Sequence, residues 1–163
     1  MRAPVHRSAL SSRNNEVSTL TIRKAARADS PLLARLAGNM WDADPAGLEH
    51  DFARLTSSKE AACFLAYHDE EPIGFAQCQL RHDYVEGTET SPVGFLEGIW
   101  VHPDYQRQGV ARQLVQACED WARSVGCTEF ASDCELDNHA SLAFHLAIGF
   151  AEVNRTIWFA KKL

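Results

Sequence analysis

The stretch VGFLEGIWVHPDYQRQGVARQL, residues 93–114, contains the change of pattern that decides the fold. Its first nine residues, Val93–Val101, are apolar on both faces, which is typical of a central strand covered by helices on both sides. From Gly109 onward the apolar residues recur every three or four positions, which predicts an amphipathic helix. A glycine turn therefore joins a buried strand to a helix, whose N-terminus offers free backbone N–H groups to an anion. The same turn can also be an ordinary strand-to-helix connection.

A carboxylate interrupts the apolar pattern of this strand at Glu97, and Gly98 follows it. A charged residue beside a glycine in a central strand suggests a β-bulge. Glu97 can be a functional group facing a cleft, or a structural carboxylate neutralised by a buried partner such as an arginine. This position is therefore both a predicted distortion and a candidate site.

The flanking segments predict strands and helices in alternation. They are a strand at 18–25, a helix from Asp29, a helix through 48–55, a hairpin at 62–81 with its turn at Asp69–Pro72, a polar loop at 82–92, a strand at 127–134, a helix from Asn138 to Gly149 and a final strand at 155–163. The order β-α-α-β-β-β-α-β-α-β predicts an α/β fold with one mixed sheet.

The composition narrows the class of protein and of partner. A chain of 163 residues predicts one domain, and no apolar run approaches the roughly 20 residues of a membrane helix. The net charge of −6 disfavours nucleic acid as a partner and is compatible with a cationic one. Five cysteines without a C-x-x-C pair predict reduced thiols and a cytoplasmic location.

The N-terminal segment and three of the histidines indicate no particular chemistry. Residues 1–17 lack the apolar segment of a secretory signal, and they predict a disordered extension, faintly like a transit peptide, before a domain spanning 18–163. His82, His102 and His139 lack the spacing of metal ligands, so no metal site is expected.

Two segments together resemble the GNAT superfamily of N-acetyltransferases. The turn contains neither a Walker A nor a G-x-G-x-x-G pattern. Instead, Gln106, Gly109 and Ala111 fit the superfamily signature [QR]-x-x-G-x-[GA], and NHASLAFHLAIGF, residues 138–150, resembles its second signature. The resemblance runs from about residue 18 to the C-terminus. It implies one mixed, mostly antiparallel sheet with helices on both faces, whose central strand is bulged and splayed for acetyl-CoA.

A closer resemblance covers residues 80–111 and 131–138, which are similar to aminoglycoside 6′-N-acetyltransferases. It implies direct transfer of an acetyl group from acetyl-CoA to the 6′-amine of kanamycin-type antibiotics, and hence antibiotic resistance. It also implies a homodimer, for which RTIWFAKKL, residues 155–163, is a plausible contact strand.

The same resemblance implies the residues of the site. Glu97 would activate the amine, and His145 stands where many members have a tyrosine that protonates the departing thiolate; a structural role for His145 is equally compatible with the sequence. Trp41, Tyr84, Glu97 and Asp133 would contact the aminoglycoside, although Trp41 could equally be a core residue at a helix end. Acetyl-CoA would contact Ile99, Trp100, Val101, Arg107, Gln108, Gly109, Val110, Ala111, Arg112 and Asn138.

Two alternatives remain at this point. A member of the same superfamily could acetylate another amine, such as a polyamine or a peptide N-terminus. The chain could also be a CoA-binding module that keeps the fold without the chemistry, although the presence of Glu97 argues against it.

Overall fold

Strands and helices alternate along residues 19–163, the part of the chain that the computed structural model describes. They are β1 (Leu20–Lys24), α1 (Ser30–Ala37), α2 (Pro45–Leu55), β2 (Ala61–His68), β3 (Glu71–Arg81), β4 (Val93–Val101), α3 (Val110–Ser124), β5 (Phe130–Ser132) and α4 (His139–Ile148). The extension predicted at residues 1–17 lies outside the described residues. No helix within them is long and apolar enough to cross a membrane.

The strands form one sheet in the order β1-β2-β3-β4-β5. The first four strands are antiparallel to their neighbours, and β5 pairs with β4 in parallel. This confirms the predicted mixed, mostly antiparallel sheet. The β2–β3 turn is tighter than predicted, because β3 already begins at Glu71, and β5 is shorter than the predicted strand at 127–134.

Helices cover both faces of the sheet, as predicted. On one face α3 buries a stripe at three- and four-residue steps, namely Val110, Leu114, Val115, Cys118, Trp121 and Ala122. On the other face Leu33 of α1 and Phe52 of α2 pack with inward residues of β2 and β3, including Leu65 and Phe75. The central strand β4 therefore lies between two apolar layers, which explains its apolar pattern on both sides.

The predicted bulge lies at Glu97. Along the β3–β4 ladder Gln77 pairs with Gly98, whereas the next residue, Cys78, pairs with Leu96. Glu97 is thus the extra residue of β4, opposed by no residue of β3. A bulge bends the strand and increases its twist at this point.

The predicted final strand at 155–163 does not form. Residues 151–163 have no regular secondary structure, and Trp158 and Phe159 are 90% and 92% exposed. A strand requires a neighbouring ladder, and no strand within residues 19–163 pairs with this segment. The apolar and β-branched residues of this segment indicated that it could form a strand, but they did not specify a partner within the described chain.

Candidate active site

The β4–β5 pair opens at the bulge. The two strands are paired from Gly94 to Leu96, and the Ser132 hydroxyl donates to the Leu96 carbonyl at 3.2 Å where the pairing ends. Beyond that point β4 continues to Val101 with no described strand beside it on the β5 side. The fold therefore leaves a slot along the second half of β4.

The glycine turn lies at the far end of the same strand. The Gln106 side chain donates to the Val101 carbonyl at 3.0 Å, which ties the turn to the end of β4. Arg107 has φ 62° and Gly109 has φ 84°, so the backbone takes two left-handed residues before α3 begins. A β-carbon built at Gly109 would meet no atom within 4 Å, so the turn is open to an approaching group.

The N-terminus of α3 supplies the free donors that the sequence predicts. The first helical hydrogen bond runs from the Gln113 N–H to the Gly109 carbonyl at 3.1 Å. The N–H groups of residues 110–112 precede that bond, and they lie at the positive end of the helix dipole. This arrangement fits a phosphate group bound through backbone N–H groups.

Two predicted cofactor residues also have structural partners. Arg112 donates to the Ala147 carbonyl at 2.9 Å and so joins α3 to the end of α4. The Asn138 side-chain oxygen accepts from the Ser141 N–H at 3.0 Å and caps α4. Its amide nitrogen is not used by the cap and can donate to another group.

Glu97 forms a bidentate ion pair with Arg81. The Arg81 Nε donates to Oε1 at 3.0 Å, and one terminal nitrogen donates to Oε2 at 2.8 Å. The guanidinium carbon also lies 3.4 Å from the centroid of the Phe95 ring. The arginine partner considered from the sequence is thus present. Sequence reasoning did not identify Arg81, because the two residues are 16 apart and meet only across the β3–β4 pair.

Trp41 is both a core residue and a wall of the site. Its ring packs with Phe52 and Phe75 at centroid distances of 6.4 and 6.0 Å. It also covers Gly98, where a β-carbon would lie 2.6 Å from Trp41 Cζ2. Trp41 therefore lies against the strand next to Glu97.

A cavity of about 250 Å³ adjoins Trp41 on the α1–α2 face of the sheet. Its lining is Trp41, Leu48, Asp51, Phe52, Arg54, Leu55, Gln77 and Gln79. Gln77 is only 8% exposed, and its side-chain amide has no hydrogen-bond partner within residues 19–163. Sequence analysis missed these polar residues, although a polar side chain at an inward position of a buried strand was a usable signal.

The loop between β3 and β4 carries Tyr84, which is 77% exposed. Glu129, just before β5, holds this loop: its carboxylate accepts from the backbone N–H groups of Glu89 and Thr90 and from the Thr90 hydroxyl. The Thr90 hydroxyl, with the backbone donors, lowers the pKa of Glu129. Tyr84 is thus presented on a loop anchored to the sheet.

Asp133 and His145 lie at the β5 side of the slot. Asp133 is exposed and directly follows the last residue of β5. The His145 Nδ1 is 2.7 Å from the Ser141 carbonyl, and its Nε2 is 2.9 Å from the Ser132 hydroxyl. Because a carbonyl only accepts, Nδ1 carries a hydrogen and Nε2 is the nitrogen that can exchange a proton.

The structure brings several predicted residues to one strand and its edges. Trp41 covers Gly98, the residue after Glu97, the turn residues lie at the end of β4, and His145 reaches the serine that ends the β4–β5 pairing. Tyr84 stands apart on its loop. Among the described residues no group of three or more His, Cys, Asp or Glu side chains is arranged to hold a metal ion.

Known proteins share this architecture. The sequence model of the Acetyltransferase (GNAT) family matches residues 26–150. An aminoglycoside N(6′)-acetyltransferase type 1 from Acinetobacter haemolyticus is 41% identical over 144 residues, covering 88% of this chain and 99% of that protein. The enzyme of the same name from Stenotrophomonas maltophilia is 45% identical over 148 residues, covering 90% and 95%. The structure of AAC(6′)-Iy in complex with the bisubstrate analog CoA-S-monomethyl-acetylneamine has a TM-score of 0.84, 37% identity and coverage of 90% and 100%.

Proposed function

Because the chain belongs to the acetyltransferase (GNAT) family, we propose that it transfers the acetyl group of acetyl-CoA to the 6′-amine of aminoglycoside antibiotics and thereby confers resistance to them. It is an acetyl-CoA-dependent N-acetyltransferase. The observation that carries the proposal is the single strand β4, which bears a carboxylate at a bulge, an open edge beyond it and an anion-binding turn at its end.

The residues along β4 and the turn fit acetyl-CoA. Backbone N–H groups at the start of α3, with the cationic Arg107 nearby in sequence, bind the pyrophosphate. The open edge at Ile99–Val101 pairs with the pantetheine arm as an added strand would, and the Asn138 amide donates from the opposite side. Acetyl-CoA supplies the acetyl group as a thioester. The bulge leaves a backbone N–H, that of Ile99, to meet the thioester oxygen, where negative charge develops.

Glu97 is the group that activates the amine. A primary amine is protonated at neutral pH and must lose a proton before it can attack a carbonyl carbon. The Glu97 carboxylate holds the ammonium and accepts this proton, directly or through a water. His145 is the second catalytic residue of the proposal: in its protonated form it donates the Nε2 hydrogen, which meets the Ser132 hydroxyl in this structure, to the departing thiolate.

The proposed acceptor contacts besides Glu97 are Trp41, Tyr84 and Asp133. Trp41 offers an aromatic face beside Gly98, and Tyr84 offers a second one from its loop. Asp133, exposed at the end of β5, binds an ammonium group of the antibiotic. An aminoglycoside carries several ammonium groups, so an acidic site with aromatic walls matches its chemistry.

We expect Asp133→Asn to raise the KM for kanamycin about tenfold, in line with the loss of one charged hydrogen bond to the substrate. The KM for acetyl-CoA should stay within about twofold of the wild-type value, because Asp133 follows the Ser132–Leu96 pair, whereas the turn lies beyond Val101 at the end of β4. Steady-state kinetics of thiol release with each substrate varied in turn measures both constants. If the two KM values rise together, Asp133 is not an acceptor contact.

The function itself is tested by thiol release from acetyl-CoA against a panel of acceptors. The proposal predicts a kcat/KM for kanamycin or tobramycin well above that for spermidine or a peptide N-terminus. Higher kcat/KM for spermidine would identify an acetyltransferase of another amine. Binding of CoA without thiol release for any acceptor would identify a non-catalytic module.

The protein acts in the cytoplasm as a homodimer, a part of the proposal supported by two observations. The five cysteines are free thiols, as in a reducing compartment. The segment 151–163 exposes Ile157, Trp158 and Phe159 together, and such a patch is typical of an interface. Its strand-forming apolar residues, unpaired in the described chain, suit a strand that pairs with a second copy.

We expect Trp158→Asp combined with Phe159→Asp to convert the dimer into a monomer, because two charges would replace the apolar contact. Light scattering after size exclusion, at several protein concentrations, measures the mass. Lys161→Asp combined with Lys162→Asp in the same segment is the matched control, and it should remain dimeric if apolar burial drives association. A monomeric wild-type protein would contradict the proposed dimer.

A further inference from the structure

We propose that Arg81 is an internal cation that occupies the ammonium site on Glu97 and is displaced when the aminoglycoside binds. Arg81 thereby favours acceptors that bind the protein through several contacts. The inference rests on the proposed function, since it assigns the ammonium site to Glu97. It makes Arg81 a specificity-determining residue, a role that the sequence analysis did not assign to it.

The first step of the argument is that Arg81 occupies both oxygens of the carboxylate. One nitrogen donates to each oxygen, at 3.0 and 2.8 Å, in the fork geometry that suits a carboxylate best. The Glu97 side chain is only 18% exposed, so little of it remains open to solvent. A substrate ammonium that approaches Glu97 therefore meets a carboxylate whose charge is already neutralised.

The second step is that the guanidinium is free to leave. Within residues 19–163 its polar contacts are the two hydrogen bonds to Glu97, and its flat face lies on the Phe95 ring. The Arg81 side chain is 38% exposed, about twice the exposed fraction of its partner. Arg81 is also the last residue of β3, and its long side chain can turn toward solvent without moving the strand.

The third step concerns charge. An arginine stays protonated at all relevant pH values, so a bound ammonium beside the intact pair would place two cations at one carboxylate. Exchange avoids this repulsion: Glu97 is neutralised by one cation before and after binding. Exchange also frees Glu97 from the fork that blocks both of its oxygens, which leaves it able to accept a proton from the amine.

The consequence is selectivity among amines. Arg81 is tethered to the sheet, so its effective concentration at Glu97 is of the order of millimolar or more. An amine that binds only through its ammonium group competes poorly with Arg81 for Glu97. An aminoglycoside gains contacts elsewhere, for which the cavity beside Trp41, with the unpartnered Gln77 amide, is available. Those contacts offset the loss of the Arg81–Glu97 pair.

The test is the affinity for kanamycin in the absence of acetyl-CoA, measured by isothermal titration calorimetry. We expect Arg81→Gln to bind kanamycin roughly three to thirty times more tightly than the wild type, because the vacant carboxylate no longer requires displacement. We expect Arg81→Lys, which keeps the charge but loses the fork, to fall between the two. Arg81→Gln should also lower the ratio of the kcat/KM for kanamycin to the kcat/KM for 6-amino-6-deoxyglucose, a one-ring acceptor with one ammonium group.

Arg123→Gln is the matched control. It removes an ion-paired arginine from α3, where Arg123 bridges Glu119 and Asp120 away from the site, and the same unit of charge is lost. Arg123→Gln should leave the Kd for kanamycin unchanged. If both variants bind kanamycin more tightly by the same factor, the cause is the change in net charge, and the proposal is overturned.

If Arg81→Gln binds kanamycin no more tightly than the wild type, while the wild type acetylates kanamycin, the displacement of Arg81 is contradicted but the proposed function is not. Arg81 would then act by positioning Glu97. If Arg81→Gln does not fold, the Kd of Arg81→Lys for kanamycin is compared with that of the wild type. Tighter binding by Arg81→Lys supports the displacement, and equal or weaker binding contradicts it. A wild-type protein that acetylates no aminoglycoside contradicts the proposed function itself.

Discussion

Replacing Glu97 by glutamine is expected to lower kcat/KM for kanamycin acetylation by roughly ten- to a thousandfold, the range typical of acid–base and electrostatic groups. The amide keeps the size of the side chain at the bulge but cannot accept the proton of the substrate ammonium. Glu97→Ala should fall in the same range or below it. Initial rates of thiol release at subsaturating kanamycin measure kcat/KM directly.

Two comparisons make this result specific to the chemistry. Glu119→Gln on α3 also removes a carboxylate paired with an arginine, and it should retain wild-type kcat/KM. Circular dichroism shows whether each variant is folded. Full activity of a folded Glu97→Ala protein would remove Glu97 from the mechanism and leave it as the structural partner of Arg81.

Replacing Phe75 by alanine is expected to reduce the free energy of unfolding by about 3–5 kcal/mol, because it removes a large side chain from a closely packed interior. Phe75 is fully buried and meets Phe52 edge to face at 5.9 Å. Trp41 packs on it at 6.0 Å and loses this support in the variant. We therefore also expect a higher KM for kanamycin, since Trp41 forms a wall of the acceptor site.

Urea denaturation followed by circular dichroism measures the change in stability. Phe75→Leu is the conservative comparison and should cost about 1–2 kcal/mol, because most of the apolar volume is kept. If Phe75→Ala is as stable as Phe75→Leu, the aromatic contacts are not what stabilises this core. If its KM for kanamycin is unchanged, Trp41 does not depend on Phe75 for its position.

The stretch from Val93 to Leu114 was interpretable in isolation because its signals are local. A strand apolar on both faces indicates burial in any sheet, and Glu97 followed by Gly98 marks the bulge that the ladder then shows. The helix that starts at Val110 follows from periodicity and from the glycine before it. These features depend on backbone preferences of a few consecutive residues, which a sequence displays directly.

The contacts of the candidate site were less accessible because they join distant residues. The Arg81–Glu97 pair and the Glu129 anchor on the loop before β4 span 16 and about 40 residues. An arginine partner for Glu97 was one of the two alternatives predicted from the sequence, but the sequence could not identify which arginine it is. The unpartnered amide of Gln77 becomes visible only once α2 and Trp41 form a cavity over it.

The sequence by itself determined the order of the elements, the one mixed sheet, the bulge at Glu97 and the open turn at Gly109, because each follows from local periodicity or backbone conformation. The tertiary structure alone decided which cation neutralises Glu97 and that residues 155–163 form no strand with the described chain. Strand pairing and ion pairing depend on what stands opposite in space. A run of strand-forming residues indicates that a segment can pair, while its partner is set by the packing of the whole fold.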